Sequence, residues 1–233
     1  MRARHFKRLA LILVFLVLAL SAWVAGPAMI INPTKLKTQR PAQTALMKLR
    51  QDQAKRRGRA YRIDQRWLPL SRTSRYLREA VRVSEDASFW SHNGIDWEEM
   101  RESFEKNWEK KQFARGGSTI TMQLARNLYL TPSKNPLRKL QEILIAFRLE
   151  KTLSKSRILE LYLNLIEWGD GIFGAEAAAR RYFGKAAADL TPDEAARLAA
   201  VLPSPLRWDP ASEQRIVLRR KNLILRRMGH EVR

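Results

Sequence analysis

Residues 9–25 (LALILVFLVLALSAWVA) carry no charge and one hydroxyl, Ser21, and the apolar character continues with few polar interruptions to Ile31. A helix of about 17 to 23 such residues spans the hydrocarbon core of a bilayer with little or no tilt. Arg2, Arg4, Lys7 and Arg8 precede the run, so the start of the chain is expected on the cytoplasmic side. Lys35, Lys37 and Arg40 on the far side weaken that bias. Ala19 and Ser21 would also suit a cleaved signal peptide. The run exceeds a usual signal core and Trp23 suits a membrane interface, which favours a retained anchor. The expected organisation is a cytoplasmic tail (1–8), a transmembrane helix (9–31), a polar and basic juxtamembrane connector (32–58) and an exported domain (59–233).

Export narrows the meaning of the charge. Forty-four Lys and Arg against 23 Asp and Glu leave +21 in 233 residues, which fits nucleic acid, anionic lipid or a phosphorylated substrate. Outside the cytoplasm nucleic acid drops out, and membrane lipids or a phosphorylated ligand remain. Cysteine is absent, which removes disulfides, thiolate metal sites and a cysteine nucleophile. With three scattered histidines and no HExxH pairing, any metal would be a hard ion held by carboxylates and substrate phosphates.

Helical periodicity dominates the body. Apolar faces recur at Leu77, Ala80 and Val81, at Leu124, Leu128 and Leu130, over residues 143–149, and at Ile158, Leu159, Leu161, Tyr162 and Leu165. Residues 176–182 read as a further helix, and Thr191-Pro192-Asp193-Glu194 as a helix start. Val217, Leu218, Ile224, Leu225 and Met228 mark one side of a packed terminal helix. No repeat and almost no strand alternation occur, so the body is mainly α-helical.

Within this basic chain, SEDASFWSHNGID (84–96) concentrates acids, a histidine and two aromatics. Next comes RGGSTITMQ (115–123), a glycine pair and hydroxyls at the mouth of a helix, a turn expected to offer backbone N–H groups to an anion. Further on, Asn135 and Pro136 suit a helix start, and Arg138 and Glu142 stand one turn apart. Taken alone, that last pair reads as an exposed i,i+4 salt bridge, worth a few tenths of a kcal/mol.

Taken together, these segments resemble the glycosyltransferase family 51 domain. SEDASFWSHNGID resembles its EDxxFxxHxG motif, GGSTITMQ its GGSTITQQ, RKLQE (138–142) its RKxxE, and KSRILELYLN (155–164) its KxxILExYLN, in the family's order and spacing. GDGIFGAEAAARRYFGK (169–185) is also similar, so the resemblance covers residues 59–208. It is that of a monofunctional biosynthetic peptidoglycan transglycosylase. It implies a lysozyme-like helical domain tethered by one transmembrane helix on the periplasmic side of the inner membrane, polymerising lipid II. Lipid-linked glycan, membrane lipids and other cell-wall synthesis and division proteins are the implied partners, without an organic cofactor.

A sugar hydroxyl that attacks must lose a proton, and a carboxylate in reach is the natural general base. The resemblance assigns that role to Glu85. A departing lipid pyrophosphate needs fixed cations. Arg126, Lys134, Arg138 and Lys139 fall at or near the positions implied for it, with Ser118 and Gln123 as polar supports. Glu142 matches the second carboxylate, organising the leaving-group side directly or through a divalent ion, Mg or Mn. Phe89, His92 and Gly94 are expected to shape the loop holding Glu85; Glu160, Tyr162 and Asn164 to brace the cleft. Asp86 either braces the loop or lines the acceptor site. Met122 replaces the first glutamine of GGSTITQQ, removing an amide that could help hold the donor. Gln141 stands where lysine is frequent, lowering the local positive charge.

Three rivals fit less well. A lysozyme-type hydrolase also uses two carboxylates, but uncharged sugar chains do not require the basic cluster. A bifunctional penicillin-binding protein would need SDN and KTG triplets, and the SxxK match at Ser103–Lys106 stands without them. A basic exported scaffold would explain the charge and not the ordered motifs.

Overall fold

The apolar N-terminus and the helical periodicity both persist in three dimensions. The computed structural model describes residues 2–109, 117–131 and 137–229. The first helix, α1 (Arg2–Ile30), contains Pro27 and a 20-residue stretch, Leu11–Ile30, apolar and long enough to cross a membrane, of which 6% is buried against the rest of the chain. Nine more helices follow among the described residues: α2 (Ala45–Arg56), α3 (Arg75–Glu85), α4 (Trp97–Glu109), α5 (Ile120–Tyr129), α6 (Leu137–Thr152), α7 (Lys155–Leu165), α8 (Ala175–Phe183), α9 (Pro192–Val201) and α10 (Arg215–Arg227).

The helix starts follow local chemistry. Thr44, Ser74, Thr119, Ser154 and Thr191 each accept a backbone N–H with the side-chain oxygen, and Thr191 with Glu194 completes a capping box ahead of Pro192. The start of α6 expected at Asn135 and Pro136 lies outside the described residues, as does Lys134.

Helix α5 packs between α6, α7 and α2, and its buried Ile120, Leu124 and Ala125 join Ile158, Leu161, Tyr162 and Leu165 of α7 in the main core. On the other side α9 packs against α3 and α10. Its run of buried alanines, 195, 196, 199 and 200, lets those helices approach closely, while Val217, Ile224 and Leu225 cover it from α10. A three-stranded sheet, β1 (Asp64–Gln65), β2 (Glu167–Gly169) and β3 (Ile172–Phe173), runs in the order β1-β3-β2, with β1 parallel to β3 and β2 antiparallel to it.

The segment 32–58 is held onto the body. Leu46 and Met47 of α2 are buried, and Arg50 makes a forked pair with Glu167 at 2.7 and 2.6 Å. Arg157 of α7 donates to the carbonyls of Leu36 and Gln39, both at 2.8 Å, and stacks over Trp67. Asn164 binds the backbone of Leu68 in both directions, its Oδ1 accepting at 2.7 Å and its Nδ2 donating at 2.8 Å. Glu160 accepts the Leu70 N–H at 3.0 Å. Thus Glu160 and Asn164 brace the chain that leads into α3.

Candidate active site

Helix α3 stops at Glu85 because Asp86 swings into extended backbone, φ −169°. Asp86 is buried and both its oxygens are engaged: His92 Nε2 at 2.9 Å and the Ile120 N–H, first residue of α5, also at 2.9 Å. His92 Nδ1 accepts the Gly94 N–H at 3.1 Å, so the proton shared with Asp86 sits on Nε2. Asp86 therefore braces the loop, and the acceptor-site alternative loses its free oxygens. Gly94 has φ +96°, and a Cβ there would lie 3.0 Å from Glu150 Cγ, so a side chain would meet both strain and a neighbour. Its carbonyl accepts from Thr119 at 2.6 Å, while Phe89 is buried beneath the loop. The loop is locked onto the N-terminus of α5.

That locking occupies two of the backbone N–H groups in the turn expected to receive an anion. The Ile120 N–H goes to Asp86, the Met122 N–H to Thr119 Oγ1, and Thr121 donates to Glu150. The hydroxyl of Ser118 accepts from Lys139. The turn thus works as a structural joint between the acidic loop, α5 and α6.

Glu85 is half-buried and is held by neutral donors: Ser84 Oγ at 3.2 Å and Gln123 Nε2 at 3.0 Å. Gln123 is oriented in turn by the Tyr162 hydroxyl, 3.0 Å from its Oε1. Complete burial, reinforced by the negative charge of Glu85, pushes the Tyr162 phenol well above its usual range. Tyr162 thus remains an O–H donor, fixing the amide oxygen toward itself and the amide N–H toward the carboxylate. Sequence reasoning missed this relay: residues 85, 123 and 162 share no spacing that brings them together. It also missed Glu99, on the first turn of α4. Lost hydration and then the like charges of Asp96, Asp86 and Glu85 push its carboxyl upward.

At the other end stands Glu142, 1% exposed. The exposed helical pair read from the spacing is instead a buried carboxylate against cations: Arg138 on Oε1, and Lys139 Nζ 3.7 Å from Oε2. Burial holds the Lys139 ammonium below the ordinary lysine range; Glu142 opposes this, while Arg126 and Arg138 add to it. Arg126, Arg138 and Lys139 therefore form one positive cluster whose mutual repulsion an arriving anion would relieve. Among the described residues no group of three or more His, Cys, Asp or Glu could hold a metal ion. With both Glu142 oxygens facing cations, the arrangement does not fit a resident divalent ion, which seeks several oxygen ligands.

The two ends meet through residues 118–123. Gln123 touches Glu85, and its Nε2 lies 3.5 Å from the Ser118 carbonyl, while the Ser118 hydroxyl takes Lys139 beside Glu142. The two departures from the motifs point away from this line. Met122 is fully buried with Ile95 and Ala146, so an amide there would enter an apolar cluster rather than reach a donor. Gln141 is buried against α1, its Nε2 3.0 Å from the Trp23 carbonyl.

A transglycosylase family model matches residues 51–229. The chain belongs to the transglycosylase family. It is 41% identical over 225 residues to the biosynthetic peptidoglycan transglycosylase of Dechloromonas aromatica, covering 97% of this chain and 95% of that one. The protein of the same name from Aromatoleum aromaticum is 50% identical over 169 residues, covering 72% and 74%. The one from Nitrosospira multiformis is 39% identical over 226 residues, covering 97% and 96%. The chain is thus a peptidoglycan glycosyltransferase with a lysozyme-like helical domain.

Proposed function

We propose that this transglycosylase extends glycan strands from lipid II with inversion. Glu85 takes the proton of the 4-hydroxyl of a lipid II acceptor as that oxygen attacks C1 of the lipid-linked growing chain. The C1–O bond to phosphate breaks, and the electron pair leaves with the lipid pyrophosphate. Attack opposite an α-linked leaving group gives the β-1,4 linkage. Arg126, Arg138 and Lys139 stabilise the departing charge, together with Lys134, which lies outside the described residues. Glu142 keeps Arg138 and Lys139 aimed while they wait.

One observation carries this reading: a half-exposed carboxylate held by neutral donors and a basic cluster built on a buried carboxylate stand at the two ends of residues 118–123. The basic end also separates transfer from hydrolysis, because a pyrophosphate needs it and a neutral glycan does not. The apolar Leu11–Ile30 stretch supports a single-pass anchor in the inner membrane, the N-terminal cations inside and the catalytic domain on the periplasmic side. Lipid II and the lipid-linked glycan are the substrates, and other cell-wall synthesis and division proteins the partners, in this reading. Purified full-length protein in lipid vesicles, supplied with lipid II, should yield polymeric glycan and free lipid pyrophosphate, and should leave finished glycan intact. Release of short fragments from finished glycan, with no polymer from lipid II, would overturn it.

A further inference from the structure

Two prolines interrupt the backbone hydrogen bonding where α1 leaves its apolar span. A helical carbonyl is normally served by the N–H four residues on. Pro27 has none to offer Trp23, and Pro33 has none to offer Met29. Helix α6 supplies donors at both places. Gln141 Nε2 reaches the Trp23 carbonyl at 3.0 Å, and Arg148 reaches the carbonyls of Met29, at 3.0 Å, and Ala28. The spacings match: six residues along α1 rise about 9 Å and seven along α6 about 10.5 Å, so the two helices run in step. In an apolar surrounding an unserved carbonyl is costly, which makes each side-chain donor specific for its place.

One turn or less from Gln141 stand the groups assigned to the pyrophosphate: Arg138, Lys139 and Glu142. On the adjacent face of α6, Leu140, Leu144 and Phe147 are exposed and continue the apolar surface beside α1. We propose that Gln141 is a positioning residue whose amide replaces the backbone donor removed by Pro27. It thereby sets the depth and tilt of α6, and of its cationic cluster, relative to the membrane helix. The kinetic part of this rests on the proposed function; the geometric part does not.

The chain has no cysteine, so spin labels at cysteines introduced for Leu20 and Leu144 report the α1–α6 distance in lipid nanodiscs. Wild type should give one narrow distance and Gln141→Leu a broad one, with KM for lipid II in bilayers raised about fivefold or more and kcat unchanged. A merely structural role is separated by Pro27→Ala in the Gln141→Leu background. That second substitution returns a backbone N–H to the Trp23 carbonyl, so thermal stability should recover while the distance stays broad and KM stays high. Unchanged width and KM in Gln141→Leu, or recovery of KM together with stability in the double variant, would overturn the proposal. A wild type that fails to polymerise lipid II would remove the proposed function and leave the distance test standing.

Discussion

The two glutamates differ in how they are held. Glu85 ends its helix, stays half-open to solvent and is steadied by a serine hydroxyl and an amide. Glu142 lies in the first turns of α6, almost without exposure, with an arginine and a lysine against it. A carboxylate steadied by neutral groups can accept a proton from a third party. One neutralised by two cations acts as a fixed charge that orders those cations. In the proposed reaction the same side chain serves as a reagent at one end of residues 118–123 and as a scaffold at the other. Mutation should separate the two kinds of loss.

The largest effect is expected from Glu85→Gln. Loss of the base should reduce lipid II turnover by roughly 10²- to 10⁴-fold. The melt should stay within about 0.5 kcal/mol of wild type, because a half-exposed amide keeps most of the local contacts. Turnover within a few-fold of wild type, measured beside the melt on one preparation, would dismiss Glu85 as the base.

Glu142→Gln should strike both readouts. Removing the charge leaves Arg138 and Lys139 facing each other, at a cost of roughly 3 kcal/mol, the low end for a broken buried pair because both cations keep some water. That corresponds to a loss of about 6 to 12 °C in Tm for a chain of this size. Polymerisation should fall with it. If the melt is unmoved, Glu142 is less committed to its cations than its burial indicates, and the contrast with Glu85 collapses.

The smallest effect concerns pH. The depressed Lys139 ammonium binds an anion only while protonated, so KM for the donor should rise by roughly tenfold as pH climbs through a value below the ordinary lysine range. Lys139→Arg, charged throughout, should flatten that rise. Stability should move the other way. Between the depressed native value and the ordinary one the unfolded chain holds more protons, so this lysine's penalty fades as pH increases. Urea unfolding of wild type against Lys139→Met over that window checks the sign.

The helices and the acidic loop were legible because period 3.6, caps and hydroxyls are local signals. Residues 191–194 show this well: the four letters specify the capping box that forms. What was not legible depends on tertiary placement. An i,i+4 pair of Arg138 and Glu142 looks alike on paper whether water or protein covers it. Gln123 reads as a free amide until Tyr162, 39 residues later, is seen to claim one end of it. Met122 was read as the loss of a donor contact and Gln141 as a loss of positive charge, yet one faces the core and the other α1. A motif names the residues without saying which way each side chain turns.

The two-way bond between Asn164 and the backbone of Leu68 has a consequence for the order of assembly. It joins residues 96 apart, and the Arg50–Glu167 fork joins residues 117 apart. Synthesis proceeds from the N-terminus, so the first third of the chain emerges well before α7 and β2 exist to receive it. During that interval Leu46, Met47 and Leu68 have no core to enter, and closing such distant contacts is slow. The first part of the chain must therefore wait until α7 arrives to stitch the beginning to the middle.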